Sequence, residues 1–262
     1  MMTRGTFTAT AAASLLGARH KLNVGIGTYS YHNLSVDDMI VQLNRLGIKE
    51  IEMSRGEFML FKKPKPELFE AARKKFDAAK IKCVSYYAAT LNNEAEVDTA
   101  IRFAKILGSR NITADATGPG LLKAIDAKCT EAKLTLGIHN HFFKGKKFPY
   151  ETADEVLAAF QGLSSTVGAT ADTGQFASCG QDTVVAIRKL MPHLKMVHLK
   201  DIEAAGDAEV NVLLGKGIAR IPEVLDELKK ANYRGLVAIE YEKEGPVEED
   251  MRIEVEWTRK RA

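Results

Sequence analysis

Four residues of metal-ligand type close four successive β-rich runs: His139, Asp172, His198 and Glu240. Side chains alternate across a strand, so each run divides into two faces. In 134–141, Leu134, Leu136 and Ile138 share one face and Thr135, Gly137, His139 and His141 the other. The same parity sets Val167, Ala169 and Ala171 against Gly168, Thr170 and Asp172, and Val197 and Leu199 against His198 and Lys200. It also sets Val237, Ile239 and Tyr241 against Ala238 and Glu240. The apolar faces are expected to meet helices and the polar faces a barrel interior. Burying so many polar groups without partners is costly, and one shared divalent cation satisfies two imidazoles and two carboxylates together. Such a mixed nitrogen and oxygen shell suits manganese, cobalt, iron or zinc better than magnesium. Two carboxylates neutralise a dication, leaving the site able to take a neutral sugar through its oxygens. A lone inward His or Asp is usually structural, so the repetition on four strands carries the metal reading.

Those runs need a frame that points them at one place. From Leu22 onward, short β-rich runs alternate with longer amphipathic segments eight times, without a Pro/Gly/Ser linker or low-complexity break. That rhythm predicts parallel α/β architecture. Strands are expected over 24–31, 50–54, 82–88, 111–115, 134–141, 168–172, 195–200 and 236–241. Helices are expected over 36–46, 66–79, 94–107, 119–132, 153–161, 183–190, 221–231 and 247–260. Pro66, Pro119 and Pro222 sit near first helical turns, and Gly47 and Gly108 follow the last apolar residue of theirs, as capping requires. Eight strands favour closure into a single-domain (β/α)8 TIM barrel, which needs roughly 250 residues. No Gly-rich phosphate loop follows the first strand, which argues against an open doubly wound sheet.

With the frame in place, the motifs resemble those of the sugar phosphate isomerase/epimerase superfamily with the xylose-isomerase-like barrel, over nearly all of 22–260. Asp172-Thr173-Gly174 resembles that family's Asp-Thr-Gly-His at the sixth strand. His198-Leu199-Lys200-Asp201 resembles its seventh-strand motif, Ile239-Glu240-Tyr241-Glu242 its last strand, and Leu214-Gly215-Lys216-Gly217 the Gly-Glu-Gly turn before the final helix. Two positions depart. Many members read Glu-Asn-His in the fifth strand, the Glu being a ligand and an acid/base, whereas Ile138-His139-Asn140-His141 puts His139 there. Gln175 stands where the family often has a His.

The resemblance implies a metal-dependent isomerase or epimerase acting on a keto sugar or sugar derivative by α-proton abstraction through an enediolate. Glu240 would then be ligand and acid/base on one face of the substrate, and His141 the catalytic group on the other, its ordinary pKa near neutrality suiting it; the alternative for His141 is a hydrogen-bonding role behind the ligands. Glu52 and Lys200 are candidates for contacts to sugar hydroxyls or a developing oxyanion. Equally, Glu52 can cap or pair on the rim and Lys200 can pair with Asp201. Gln175, Tyr31 and His32 are further candidate substrate contacts, the last two by position at the end of the first strand. The same site can also run β-elimination on oxidised keto glycosides as a lyase. The missing fifth-strand Glu argues for a third reading, a non-catalytic exported sugar-binding barrel or supporting subunit.

Composition narrows the partners. The formal charge is +3, with cations and anions interspersed, so nucleic acid is not an expected partner, and six His residues are few for a three-zinc nuclease. Residues 1–21 read as an export signal or extension: Arg4 precedes an Ala/Thr/Leu run ending in Leu16-Gly17-Ala18. Thr3-Arg4-Gly5-Thr6-Phe7 resembles a degenerate twin-arginine motif with the second arginine missing. The expectation is therefore periplasmic localisation, with cytoplasmic residence if this segment is only an extension. The run is shorter than the about 20 residues that cross a bilayer, so the mature domain, 22–262, is expected off the membrane. Homo-oligomers and a partner subunit both stay open. Cys83, Cys129 and Cys179 form no close pair, which predicts buried free thiols rather than disulfides or a cysteine zinc site.

Overall fold

The computed structural model describes residues 21–116 and 120–262. The expected export segment therefore lies, apart from Lys21, outside the described residues, as does Pro119. Eight parallel strands form a closed barrel: β1 (Asn23–Gly27), β2 (Glu50–Met53), β3 (Lys82–Leu91), β4 (Asn111–Ala116), β5 (Thr135–His139), β6 (Val167–Asp172), β7 (Leu194–Leu199) and β10 (Leu236–Ile239). The barrel closes where β10 pairs with β1, Val24 opposite Val237. A two-residue antiparallel ribbon, β8 (Asp201–Ile202) with β9 (Asn211–Val212), projects after β7.

Helices cover the outside: α1 (Val36–Arg45), α2 (Pro66–Ala78), α3 (Glu94–Leu107), α4 (Leu121–Ala132), α5 (Ala153–Ala159), α7 (Thr183–Leu190), α8 (Ile221–Lys230) and α9 (Glu248–Arg259), while the short α6 (Thr173–Ser178), directly after β6, is buried throughout. Several of their starts are set by side chains that accept from otherwise orphaned backbone N–H groups. Ser35 accepts from Asp38, Asn93 from Glu96, Asp182 from Val184 and Val185, and Thr152 with Glu155 forms a reciprocal capping box. At the end of α3, Gly108 adopts φ +73°, and a Cβ there would also meet the Arg73 guanidinium, so glycine is favoured. Between sheet and helices, Phe58, Phe69, Tyr86 and Phe103 interlock, the Phe69 and Phe103 rings stacked 3.9 Å apart. Truncating such a buried ring costs about 3–5 kcal/mol.

The interior is polar through its middle. Ser85 donates to Glu52, Asn111 to Ser85, Thr135 to Asn111, and the Thr113 and Thr170 hydroxyls meet at 3.1 Å. Beside this network Met196, Leu236 and Ala238 pack with Val84. The layer above the network is the one that presents the ligand-type side chains.

Several strands end earlier than the alternation predicts. β1 stops at Gly27, and 28–31 turns as a 3-10 helix. β5 stops at His139, because Asn140 turns sideways to hydrogen-bond the Asp172 backbone, and β7 stops at Leu199, because the Lys200 N–H goes to the Thr173 hydroxyl. Cys83 and Cys129 are buried, but Cys179 is only partly so, its thiol donating to the carbonyl of Glu151. Among the described residues no helix is long and apolar enough to cross a membrane.

Candidate metal centre

His139 and Asp172 end β5 and β6, His198 is the penultimate residue of β7 and Glu240 directly follows β10, and each offers a ligand atom within 4.8 Å of the others. All four are buried. His139 Nε2 lies 3.7 Å from Asp172 Oδ2, and His198 Nδ1 lies 3.8 Å from that oxygen and 3.3 Å from Glu240 Oε2. Local structure aims each one. Asp172 Oδ1 caps α6 by accepting from the Gln175 N–H, which leaves Oδ2 facing the cluster. Glu240 keeps its place in the ladder through its N–H to Leu199 O. His198 Nε2 lies 2.6 Å from Glu52 Oε2.

These residues fit a divalent cation. Asp172 Oδ2, both His139 nitrogens and His198 Nδ1 are buried without a hydrogen-bond partner, and buried polar atoms are normally satisfied. The charge balance points the same way. Glu52, Asp115, Asp172 and Glu240 crowd together, while the buried ammonium of Lys200 is engaged 2.6 Å from Glu242. Burial lowers the basicity of His198, but the carboxylates of Glu240 and Glu52 outweigh it and push the imidazole up to about 10. Burial pushes the Glu240 carboxyl up to about 7 against the attraction of His198. Burial opposes ionisation of Asp172, yet His139 and Lys200 hold it below the usual carboxylate range. Protons thus collect where a cation would compensate the carboxylates.

The cluster lies at the base of a cavity of about 690 Å3 open at the C-terminal ends of the strands, where barrel enzymes keep their chemistry. Its walls include Tyr29, Tyr87, Asp115, His141 and Gln175, and its rim includes Phe61 and Phe143. A second cavity, about 570 Å3, opens at the opposite end, with Lys82, Arg110 and Arg234 exposed around it. No ligand-type cluster lines it among the described residues.

The remaining sequence candidates divide. His141 reaches the cavity from the loop after β5 rather than as a further strand residue; its ring stacks on Phe143 at 4.2 Å. Burial, with His139 adding, pushes His141 down to about 3, so its imidazole is neutral at physiological pH. Gln175 lines the cavity and accepts from the Phe142 N–H, fixing that loop. Glu52 is not on the rim: it is fully buried beneath the cluster, bonded to His198 and Ser85. Lys200 is also fully buried and pairs with Glu242, not Asp201; Asp201 instead accepts from the N–H groups of Gly215, Gly217 and Ala219. Gly174 permits the packing of Lys200, whose Cγ would lie 2.6 Å from a Cβ there. Tyr31 points into the core and His32 stacks on Tyr29, so the 3-10 turn after β1 brings Tyr29 to the cavity in their place.

Asp115 was missed, although Asn111, Thr113 and Asp115 repeat the inward polar alternation that singled out the other strands. It lies 3.8 Å from His139 Nδ1, and burial pushes its carboxyl up to about 6 against the pull of His139. Tyr87 reaches the cavity beside a register shift in β3, where Ala89 adopts φ +64°, a bulge of the kind that re-aims side chains near sites.

Residues 40–261 match the family model described as xylose isomerase-like TIM barrel. None of the curated proteins matches the chain. Among solved structures, the probable 3-DHS dehydratase AsbF of Bacillus anthracis superposes with a TM-score of 0.73 at 14% identity, over 89% of this chain and 97% of that one. An uncharacterised protein of Parabacteroides distasonis gives 0.68 at 24% identity, over 92% and 99%. The IolI protein, solved with a bound zinc atom, gives 0.70 at 16% identity, over 93% and 95%. At these identities the likeness is one of fold.

Proposed function

Since this chain belongs to the xylose isomerase-like TIM barrel family, we propose that it is a divalent-metal-dependent isomerase or epimerase of a keto sugar or sugar derivative. The observation that carries this reading is the convergence of His139, Asp172, His198 and Glu240, with unpartnered buried atoms, at the base of an open cavity. Their mixed nitrogen and oxygen donors favour zinc, manganese, iron or cobalt over magnesium. When bound, such an ion supplies Lewis-acid polarisation of a substrate carbonyl.

The chain's own residues do the rest. His141, on the cavity wall, accepts the proton from the carbon beside the carbonyl; burial keeps it unprotonated but lowers its basicity below that of the free imidazole expected from the sequence, so its part rests on position. Glu240, across the cluster, is ionised as a ligand in the metal-loaded site, so His141 itself returns its proton to the adjacent carbon. Gln175 keeps His141 in place by bonding the neighbouring Phe142 N–H. Tyr29, Tyr87 and Phe143 give apolar faces against which a sugar ring stacks.

One observation favours a second reading. The cavity of about 690 Å3 is in the range that encloses drug-sized ligands, leaving room beyond one sugar ring for a leaving group. The same α-proton abstraction followed by loss of a β-substituent would make the protein a lyase of keto glycosides.

The test is to incubate the metal-loaded protein with keto sugars and keto glycosides in deuterated water and follow isotope and products. Deuterium at the α-carbon of a rearranged sugar supports the isomerase or epimerase, and release of the substituent supports the lyase. Bound metal with no exchange on any substrate contradicts both and leaves a binding or subunit role.

A further inference from the structure

Two buried carboxylates outside the ligand cluster each face the far nitrogen of one of its histidines. Glu52 comes from β2 and reaches across the barrel interior to His198 on β7, its Oε2 2.6 Å from Nε2. Its other oxygen accepts from the Ser85 hydroxyl, so the carboxylate is held from behind. Asp115 is the penultimate residue of β4, the neighbour of β5, and its Oδ1 lies 3.8 Å from His139 Nδ1. Both that oxygen and that nitrogen are buried without a hydrogen-bond partner.

The two contacts are made to opposite ring nitrogens. With a cation held between Asp172 and Glu240, the nitrogen that faces the carboxylate outside the cluster carries the proton, and the nitrogen that faces the cluster keeps its lone pair. For His198 the free nitrogen is Nδ1, which faces Glu240 and Asp172. For His139 it is Nε2, which faces Asp172.

We infer that Glu52 and Asp115 are positioning residues that fix the two imidazole ligands in opposite tautomers, so that His198 binds the cation through Nδ1 and His139 through Nε2. The inference rests on the metal site proposed above. It gives Glu52 a role in the site without substrate contact. It also explains why His at 139 is accompanied by an acid on the adjoining strand: an imidazole, unlike a carboxylate, needs its second nitrogen satisfied. Carboxylate partners of this kind raise the basicity of the ligand and restrain its ring, and removing one typically lowers metal affinity about 10–100-fold.

The test uses the full chain labelled with 15N-histidine and loaded with zinc. Ring-nitrogen NMR is expected to show a zinc-bound Nδ1 with a protonated Nε2 for His198, and the reverse for His139. Zinc affinity measured by competition is expected to fall about 10–100-fold in Asp115→Ala and to recover in part in Asp115→Asn, whose amide oxygen still accepts the N–H. Glu52→Gln is expected to weaken zinc less than Glu52→Ala for the same reason. Zinc bound through the same nitrogen of both rings, or unchanged affinity in both Ala variants, overturns the inference while leaving the metal site standing. A wild-type chain that takes up no metal overturns both.

Discussion

Asn140 and Asp172 grip each other: the Asn140 amide donates to the Asp172 carbonyl at 3.0 Å, and the Asp172 N–H returns a bond to the Asn140 carbonyl oxygen at 2.7 Å. This reciprocal pair joins the ends of β5 and β6 and so sets the spacing between two of the four ligands. Each such bond contributes about 1 kcal/mol, and a buried N–H left unpaired costs about 1–3 kcal/mol. Asn140→Ala is expected to lose about 2–4 kcal/mol in denaturant unfolding and to bind metal more weakly than the wild type. Unchanged stability would show that the pair is dispensable.

Metal binding should release protons. In the metal-free chain His198 stays charged up to about 10 and Glu240 stays protonated up to about 7, while a cation needs both unprotonated. Apparent affinity is therefore expected to rise with pH between 6 and 8, by about tenfold per unit for each proton displaced. Competition titrations at several pH values read this directly, and a flat profile would contradict it.

The metal-free chain carries a stability signature of opposite sense. His198, raised from 6.5 to about 10, contributes stability that is full below 6.5 and is lost as pH rises through 10. Glu240, raised to about 7, and Glu254, pushed by burial up to about 8, likewise lose stabilising protonation as pH rises. His141, depressed to about 3, gains stability with rising pH, but only below 6.5. Between pH 7 and 9 the metal-free Tm is thus expected to fall, and added zinc to remove most of the fall. Thermal scans with a chelator and with zinc make the comparison.

His141 and the rim aromatics separate chemistry from binding. If His141 moves the α-proton, His141→Gln is expected to lower kcat by about 10²–10⁴-fold with metal content unchanged. Phe61→Ala, which alters only the rim, is expected to raise KM more than it lowers kcat, and Phe143→Ala, which removes the ring stacked on His141, to lower kcat less than His141→Gln does. Equal loss of kcat in all three variants would argue against a special role for His141.

The ligands were legible because a strand's period of two is a local property: once Leu136 and Ile138 face the helices, His139 must face the axis. Helices such as α2, α3 and α7 were equally plain, since their caps and apolar stripes lie within their own residues. What escaped was set by closure of the barrel. Glu52 looks like a rim residue in its own strand, and only the closed interior brings it to His198, on β7. Lys200 has Asp201 beside it in sequence, but the turn from β7 into β8 gives Asp201 to the backbone of 215–219 and leaves Lys200 to Glu242. The stop of β1 at Gly27 exchanged Tyr31 for Tyr29 at the cavity, a difference of two residues that strand propensity does not resolve. Asp115 is legible by parity with Asn111 and Thr113, but only the closed barrel, which sets β4 beside β5, shows it facing His139.

The most direct test of the account is the metal content of the purified chain beside its Glu240→Gln variant, by elemental analysis after loading and removal of excess ion. The account predicts about one zinc, manganese, iron or cobalt ion per wild-type chain and markedly less in the variant. No ion retained by the wild type, or equal retention by both proteins, would contradict it.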